Sequence, residues 1–231
     1  GSGLTLLSNE TVGNLAGSAA VSATIALGNN ALTTNTSSNQ TFSGLLTGSG
    51  SLVKQGTANL NLDTSSSVGF NGSVVINQGL FQLSGNGIVN LPAVGSIASN
   101  QGGSLLIDFN SGTTGSSRIS DTATINLSSL GNGSFFGVHI RSNQDASHRE
   151  TVGAINLVGG ASVIGVSQGG GTGRTLTLTA ASLNRQNNAT VFLDGRNFAA
   201  TSGDNRGRLV ITAAPATVGG AGAPGASNTN V

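Results

Sequence analysis

The stretch His139-Ile140-Arg141-Ser142-Asn143-Gln144-Asp145-Ala146-Ser147-His148-Arg149-Glu150 concentrates the residue types that could do chemistry. It holds both histidines of the chain together with arginines and carboxylates. Imidazoles can ligate a metal or carry protons, and carboxylates beside arginines can bind or activate a polar substrate. The spacing specifies neither role. His139 and His148 lack the i,i+4 relation that sets two ligands on one helical face, and no third ligand stands with them. No metal or cofactor is expected. His139 alternates with Val138 and Ile140, which places it on the outer side of a strand. The segment reads as a solvated loop projecting from the body of the protein. Its residues His139, Arg141, Asp145, His148, Arg149 and Glu150 are the candidates for contact with a glycan or a protein.

The remaining ionisable residues are thinly spread. Hydrolysis or elimination on a polysaccharide needs two carboxylates, or a carboxylate with Arg or Lys, converging on one groove. The chain has 8 acidic residues, scattered from Glu10 to Asp204, and neither Tyr nor Trp to stack on sugars. Asp108 and Asp121 would meet only if one structural repeat separated them. The chain is therefore not expected to be an enzyme, with a polysaccharide-acting enzyme as the alternative of a different class. Gly169-Gly170-Gly171-Thr172-Gly173-Arg174 lacks the Gly-Lys-Ser/Thr ending and the helix of a phosphate loop. A net charge of +1, from 9 basic against 8 acidic groups, argues against nucleic acid, which demands a basic patch. Cysteine is absent, which excludes disulfides and thiolate metal sites.

Elements able to position such residues show themselves by alternation. From Phe42 to Ser84, Leu60 and Leu62, then Val74 and Ile76, then Phe81 and Leu83 recur with period two between glycine-centred turns, the mark of strands with one buried face. Val21, Ala23, Ile25 and Leu27 do the same upstream. Downstream come Leu105, Ile107 and Phe109, then Ile125/Leu127, Phe136/Val138/Ile140, Ile155/Leu157, Leu176/Leu178, Val191/Leu193 and Leu209/Ile211. Lys54, the one lysine, would point inward in strict alternation from Leu52. A lone ammonium resists burial, so its head is expected in water, with the stem along the surface.

The Phe42–Ser84 stretch also carries a family pattern. Gly50-Ser51-Leu52-Val53-Lys54-Gln55-Gly56, then Leu60-x-Leu62, then Ile76-Asn77-x-Gly79-x-Phe81-Gln82-Leu83 resembles the passenger-associated strand repeat of bacterial autotransporters. Phe70 stands where that repeat has a tyrosine, and the Ser-Gly-Ala-Asn that usually precedes it is missing. The resemblance covers under a fifth of the chain. It implies a β-solenoid unit within an exported, surface-exposed passenger, and it implies no particular activity.

Many short strands with Gly/Ser/Asn/Thr turns leave sandwich, barrel or solenoid. Hydrophobic residues make up 36% of the chain but aromatics only 3%. Small and β-branched residues fill the thin core of a stacked repeat better than the thick core of a sandwich. The expected fold is an all-β, right-handed parallel β-helix over residues 1–212. Units of roughly 20 residues stacked about 4.8 Å apart would give ~10 levels spanning ~50 Å. Residues 213–231, rich in Ala, Gly and Pro, read as a linker or tail.

The expected function is a non-enzymatic structural or adhesive segment of an autotransporter-like protein. It would be extracellular or on the bacterial surface, exported through the outer membrane. A self-assembling fibre, matrix or surface-layer subunit, pairing through the solenoid ends, is the alternative. Gly1-Ser2-Gly3 shows no signal segment, so the chain is expected to be an excised or mature piece of a longer exported protein. Any membrane contact would run through a translocator outside these residues. The expected partners are a host or cell-surface glycan or protein, and no nucleic acid.

Overall fold

A computed structural model of the chain describes residues 3–17, 23–63, 69–85, 91, 93–110, 117–129, 136–195 and 205–213. The strands are β1 (Gly3–Thr5), β2 (Glu10–Val12), β3 (Thr24–Ala26), β4 (Ala31–Asn35), β5 (Gln40–Phe42), β6 (Leu45–Thr47), β7 (Ser51–Gln55) and β8 (Leu60–Leu62). They continue with β9 (Ser73–Leu83), β10 (Ser96–Asp108), β11 (Thr124–Ser129), β12 (Gly137–Ser142), β13 (His148–Leu157) and β14 (Ala161–Gln168). The last three are β15 (Thr175–Arg185), β16 (Thr190–Gly195) and β17 (Arg206–Ile211). The described residues contain no helix, and no helix is long and apolar enough to cross a membrane. The fold is all-β and its strand pairings are parallel.

Parallel pairing requires a long return between partners, and the register shows its length. The row Glu10, Leu32, Leu52, Val74, Ile97, Ile125, Ile155, Leu183 runs through β2, β4, β7, β9, β10, β11, β13 and β15. Its successive partners lie 22, 20, 22, 23, 28, 30 and 28 residues apart, read from the paired residue numbers. A second row, Leu60, Phe81, Leu105, Val138, Ile164, Leu193, runs through β8, β9, β10, β12, β14 and β16. Val74, Ile97, Ile125 and Ile155 from the first row and Phe81, Leu105, Val138 and Ile164 from the second meet in one buried apolar cluster. β-branched and leucine side chains suffice because each level contributes only a narrow strip to that core. Among the described residues the longest path of neighbouring strands, β17-β15-β13-β11-β10-β9-β7-β4-β2, holds nine strands, and the return lengthens from about 20 to about 30 residues after β10.

Two expectations about individual segments are corrected. Val74/Ile76 and Phe81/Leu83 lie on one continuous strand, β9, whose halves pair with different strands, Ser51–Lys54 and Leu60–Leu62. Gly79 makes the corner between the halves with a φ of 68°, a region closed to most side chains. Lys54 is also not at the surface. It is fully buried at an inward position between Thr34 and Ile76, as alternation from Leu52 dictates. Its ammonium donates to the carbonyls of Gln55 (2.9 Å), Gly56 (2.6 Å) and Gln78 (3.0 Å). Backbone oxygens at the corner thus replace the water that the charge would otherwise require. Phe70, at the tyrosine position of the repeat, is fully buried. Of the expected tail, residues 214–231 lie outside the described residues.

The outer side of the first row is polar and paired along the stack. Asn126, Asn156 and Asn184 occupy matched positions on β11, β13 and β15. Asn156 donates to Asn126 and Asn184 to Asn156, each at 2.9 Å. Asn100 likewise donates to Asn77 at 3.1 Å and accepts from Ser128 at 2.9 Å. A carboxamide both donates and accepts, so a column of them satisfies itself level by level.

Candidate functional site

The charged segment is not one solvated loop. His139 and Arg141 belong to β12, and His148, Arg149 and Glu150 open β13. Only 143–147 form the turn between them. Three of the six candidates are buried and three exposed, because the strands on each side hold their ends in alternating rows.

His139 does face away from the inner row, as its alternation with Val138 and Ile140 requires, yet only 8% of it is exposed. It pairs with Leu106 on one side and Gly165 on the other. Its ring occupies the space that a side chain at position 165 would need: a Cβ there would collide with Nδ1. Burial lowers its pKa from 6.5, partly offset by the charge of Asp194. It is a covered neutral imidazole rather than a surface contact.

His148 and Glu150 point inward, paired with Leu176 and Leu178 of β15. His148 is 4% exposed and its ring stacks on Phe109, with centroids 4.9 Å apart. Neither ring nitrogen has a hydrogen-bond partner. Its pKa is lowered by burial and further by the charge of Arg118. Glu150 is fully buried. Its carboxyl accepts the backbone N–H of Arg118 at 2.8 Å and that of Ile119 at 3.3 Å. Burial pushes its pKa from 4.5 up to about 8, against the pull of those two N–H groups and the Arg118 charge. The Arg118 guanidinium lies 5.2 Å from the Phe109 ring centre and donates to the Gly85 carbonyl at 3.1 Å. Burial lowers its pKa while Glu150, Asp108 and Asp63 oppose the shift.

Two of the exposed candidates, Arg141 and Asp145, form ion pairs across the stack. Arg141 donates to Asp108 at 2.8 Å, and that carboxylate also accepts Gln82 Nε2 at 3.0 Å and the backbone N–H of Asn110 at 2.9 Å. Arg174 donates to Asp145 at 2.8 Å on the surface of the turn. Arg149 is exposed on the outer side of β13. Asp108 is therefore engaged as a structural acceptor, and Asp121 sits exposed in a turn. Among the described residues no group of three or more His, Cys, Asp or Glu side chains could hold a metal ion.

Phe109, Arg118, His148 and Glu150 thus make an interior polar cluster closed to solvent. The arrangement can hold a carboxyl and an imidazole neutral and lock two distant levels together through backbone hydrogen bonds. All four residues are buried in the described structure. The inward facing of His148 and Glu150 was readable from their alternation with Val152. Arg118 was not, since its partners lie some 30 residues away along the chain. Comparisons with protein-family models, with curated proteins and with solved structures found no match to the chain.

Proposed function

We propose that the chain is a non-enzymatic scaffold segment of a surface-exposed protein of the autotransporter passenger kind, wound as a right-handed parallel β-helix. The observation that carries this reading is the pair of in-register rows whose partners recur every 20 to 33 residues. Right-handed crossovers are the rule for parallel strands joined this way. Repeated turns of such a chain stack into a rod whose backbone hydrogen bonds run along its length. The function is mechanical and spatial: the stack holds exposed turns such as 143–147 away from its base, where a cell-surface glycan or protein would meet them. Export to the cell surface belongs to the same reading, as does a membrane link through a translocator outside these residues.

The engagement of Asp108 by Arg141, Gln82 and Asn110 favours scaffold over catalyst. A direct test incubates the purified chain with neutral and acidic polysaccharides and follows new reducing ends. None should appear. Depolymerisation that is abolished by Asp108→Asn would overturn the scaffold reading. Antibody labelling of intact cells that make the natural protein tests its location. Signal only after permeabilisation would contradict surface exposure.

One observation favours end-to-end self-assembly as the second reading. Among the described residues the exposed large hydrophobics are Leu4 of β1, Leu7 between β1 and β2, and Phe192 and Leu193 of β16. Leu193 continues the inner row of Ile164 with no described strand over it. Concentration-dependent filaments in electron microscopy would support this reading, and a monodisperse monomer at high concentration would remove it.

A further inference from the structure

We propose that the corner between the two long rows carries a binding site for a neutral, polyhydroxylated ligand, a stretch of uncharged polysaccharide. The site is an open groove of about 470 Å³ lined by Asn35, Gln55, Gly56, Asn77, Gln78 and Gln101. Its lining is carboxamide and glycine, with no charged side chain.

Hydrogen bonding distinguishes this corner from the amide columns that run along the rows. Asn77, Asn100 and Ser128 satisfy one another, as do Asn126, Asn156 and Asn184. The side chains of Asn35, Gln55, Gln78 and Gln101 are exposed and make no hydrogen bond to any described residue. Four carboxamides converge without having paired. Each offers an acceptor and two donors, the pattern that matches adjacent hydroxyl groups, which donate and accept in turn.

Backbone geometry marks the same place: among the described residues at positive φ, Gln101 alone is neither glycine nor asparagine. Earlier levels turn this corner with glycine at positive φ, at Gly56 (78°) and Gly79 (68°). The next level has Gln101 at φ 41°, inside a register shift between Ser99 and Gly102. A side chain in that region costs energy that glycine would avoid, and such outliers gather at functional sites. The strain places one more carboxamide in the groove.

The groove floor is fixed from beneath. Lys54 donates to the carbonyls of Gln55, Gly56 and Gln78, so the only nearby ammonium is turned inward and adds no charge to the surface. An anionic ligand therefore finds no counter-ion here. The strands at the corner, β4, β7, β9 and β10, are paired on both sides, so an extended peptide has no free strand edge to join. Uncharged polysaccharide is the ligand class that remains.

The test uses the intact chain in native gels cast with dextran, mannan, laminarin or xylan, with polygalacturonate and heparin as charged counterparts. At least one neutral polymer should retard the protein, and high salt should leave the retardation unchanged. In ¹⁵N spectra the same polymer should shift the side-chain amides of Gln55, Gln78 and Gln101. Gln101→Gly combined with Gln78→Ala should weaken binding about tenfold, the worth of one or two neutral hydrogen bonds. Gln101→Gly alone should leave the melting temperature unchanged or raise it, which separates lost recognition from lost folding. The proposal is overturned if no neutral polymer retards the chain, or if only the charged polymers do. Undiminished binding by the double variant, or amide shifts confined to other surfaces, overturns it equally. Failure here would leave the scaffold reading standing, since that reading does not depend on this groove.

Discussion

Glu150 gives the sharpest stability test, because its titration is displaced far from the value it has in the unfolded chain. Burial raises its pKa from 4.5 to about 8 in the folded protein. Between those values the folded state holds a proton that the unfolded state has released, so stability must fall as pH rises through the window. His139 and His148 act in the opposite sense. Their pKa values are lowered from 6.5, so they make stability fall as pH drops through 6.5, an effect that fades within about one unit above it. Between pH 6.5 and 8 the tails of the two histidines and of Lys54, whose pKa is lowered to about 8, oppose the carboxyl, so its contribution is read as the difference between wild type and Glu150→Gln. At 1.36 kcal/mol per unit of proton uptake, an interval of about 1.5 units sets a ceiling near 2 kcal/mol. Urea unfolding followed by far-ultraviolet circular dichroism, repeated across this range, measures the slope at constant m-value. Glu150→Gln keeps the shape and one acceptor but has no proton to lose. It should cost about 1 kcal/mol at pH 6.5 and show no fall between 6.5 and 8. A stability difference between wild type and variant that does not move in the variant's favour as pH rises from 6.5 to 8 refutes the account of a carboxyl held neutral by burial.

Two further outcomes follow from close contacts in the interior. Lys54→Met should destabilise the chain by about 1–3 kcal/mol at pH 7, since three carbonyls lose a charged donor while the cost of burying the ammonium is relieved. Burial lowers the Lys54 pKa from 10.5 to about 8, so wild-type stability should rise with pH between 8 and 10.5 and that of the variant should not. A methionine variant that matches the wild type in both level and slope would contradict the structural role given to the lysine. Gly72→Ala would drive a Cβ into the Gly50 carbonyl of the neighbouring level, and should cost at least about 2 kcal/mol. Gly13→Ala, with nothing within 4 Å of its new atom, should stay within about 0.5 kcal/mol. Equal losses at the two glycines would argue against the tight stacking of levels at that corner.

The parts legible in the sequence are those that depend on neighbours two residues away. Leu60/Leu62, Val74/Ile76 and Phe81/Leu83 announced their facing because a half-buried strand writes it in period two. Lys54 shows the limit of that reading. Alternation placed it inward, but the cost of a buried ammonium argued for the surface. The carbonyls that offset this cost come partly from Gln78, on the next level, which no local pattern displays. Glu150 repeats the lesson, because the backbone of Arg118 and Ile119 reaches it from 32 and 31 residues upstream. The register beyond Ser84 was obscured for a related reason. Returns that lengthen from about 20 to about 30 residues leave no constant period to read. The carboxamide corner left only a trace, Asn or Gln at the ends of β4 and β7 (Asn35, Gln55) and within β9 and β10 (Asn77, Gln101). Its meaning depends on which amides find partners in three dimensions.

The central claim is that successive levels stack in the observed register, and the absence of cysteine makes a clean measurement available. Val53, Val75 and Ala98 occupy matched outward positions on β7, β9 and β10. Adjacent strands lie about 4.8 Å apart, within thiol-linking distance, while two levels are separated by about twice that. Cysteine pairs at 53/75 and 75/98 should be joined rapidly by a short bifunctional thiol reagent, read by intact mass, and the pair at 53/98 should remain open. Equal linking of 53/98, or no linking at 53/75 and 75/98 in folded protein, would contradict the stacked arrangement on which every other conclusion rests.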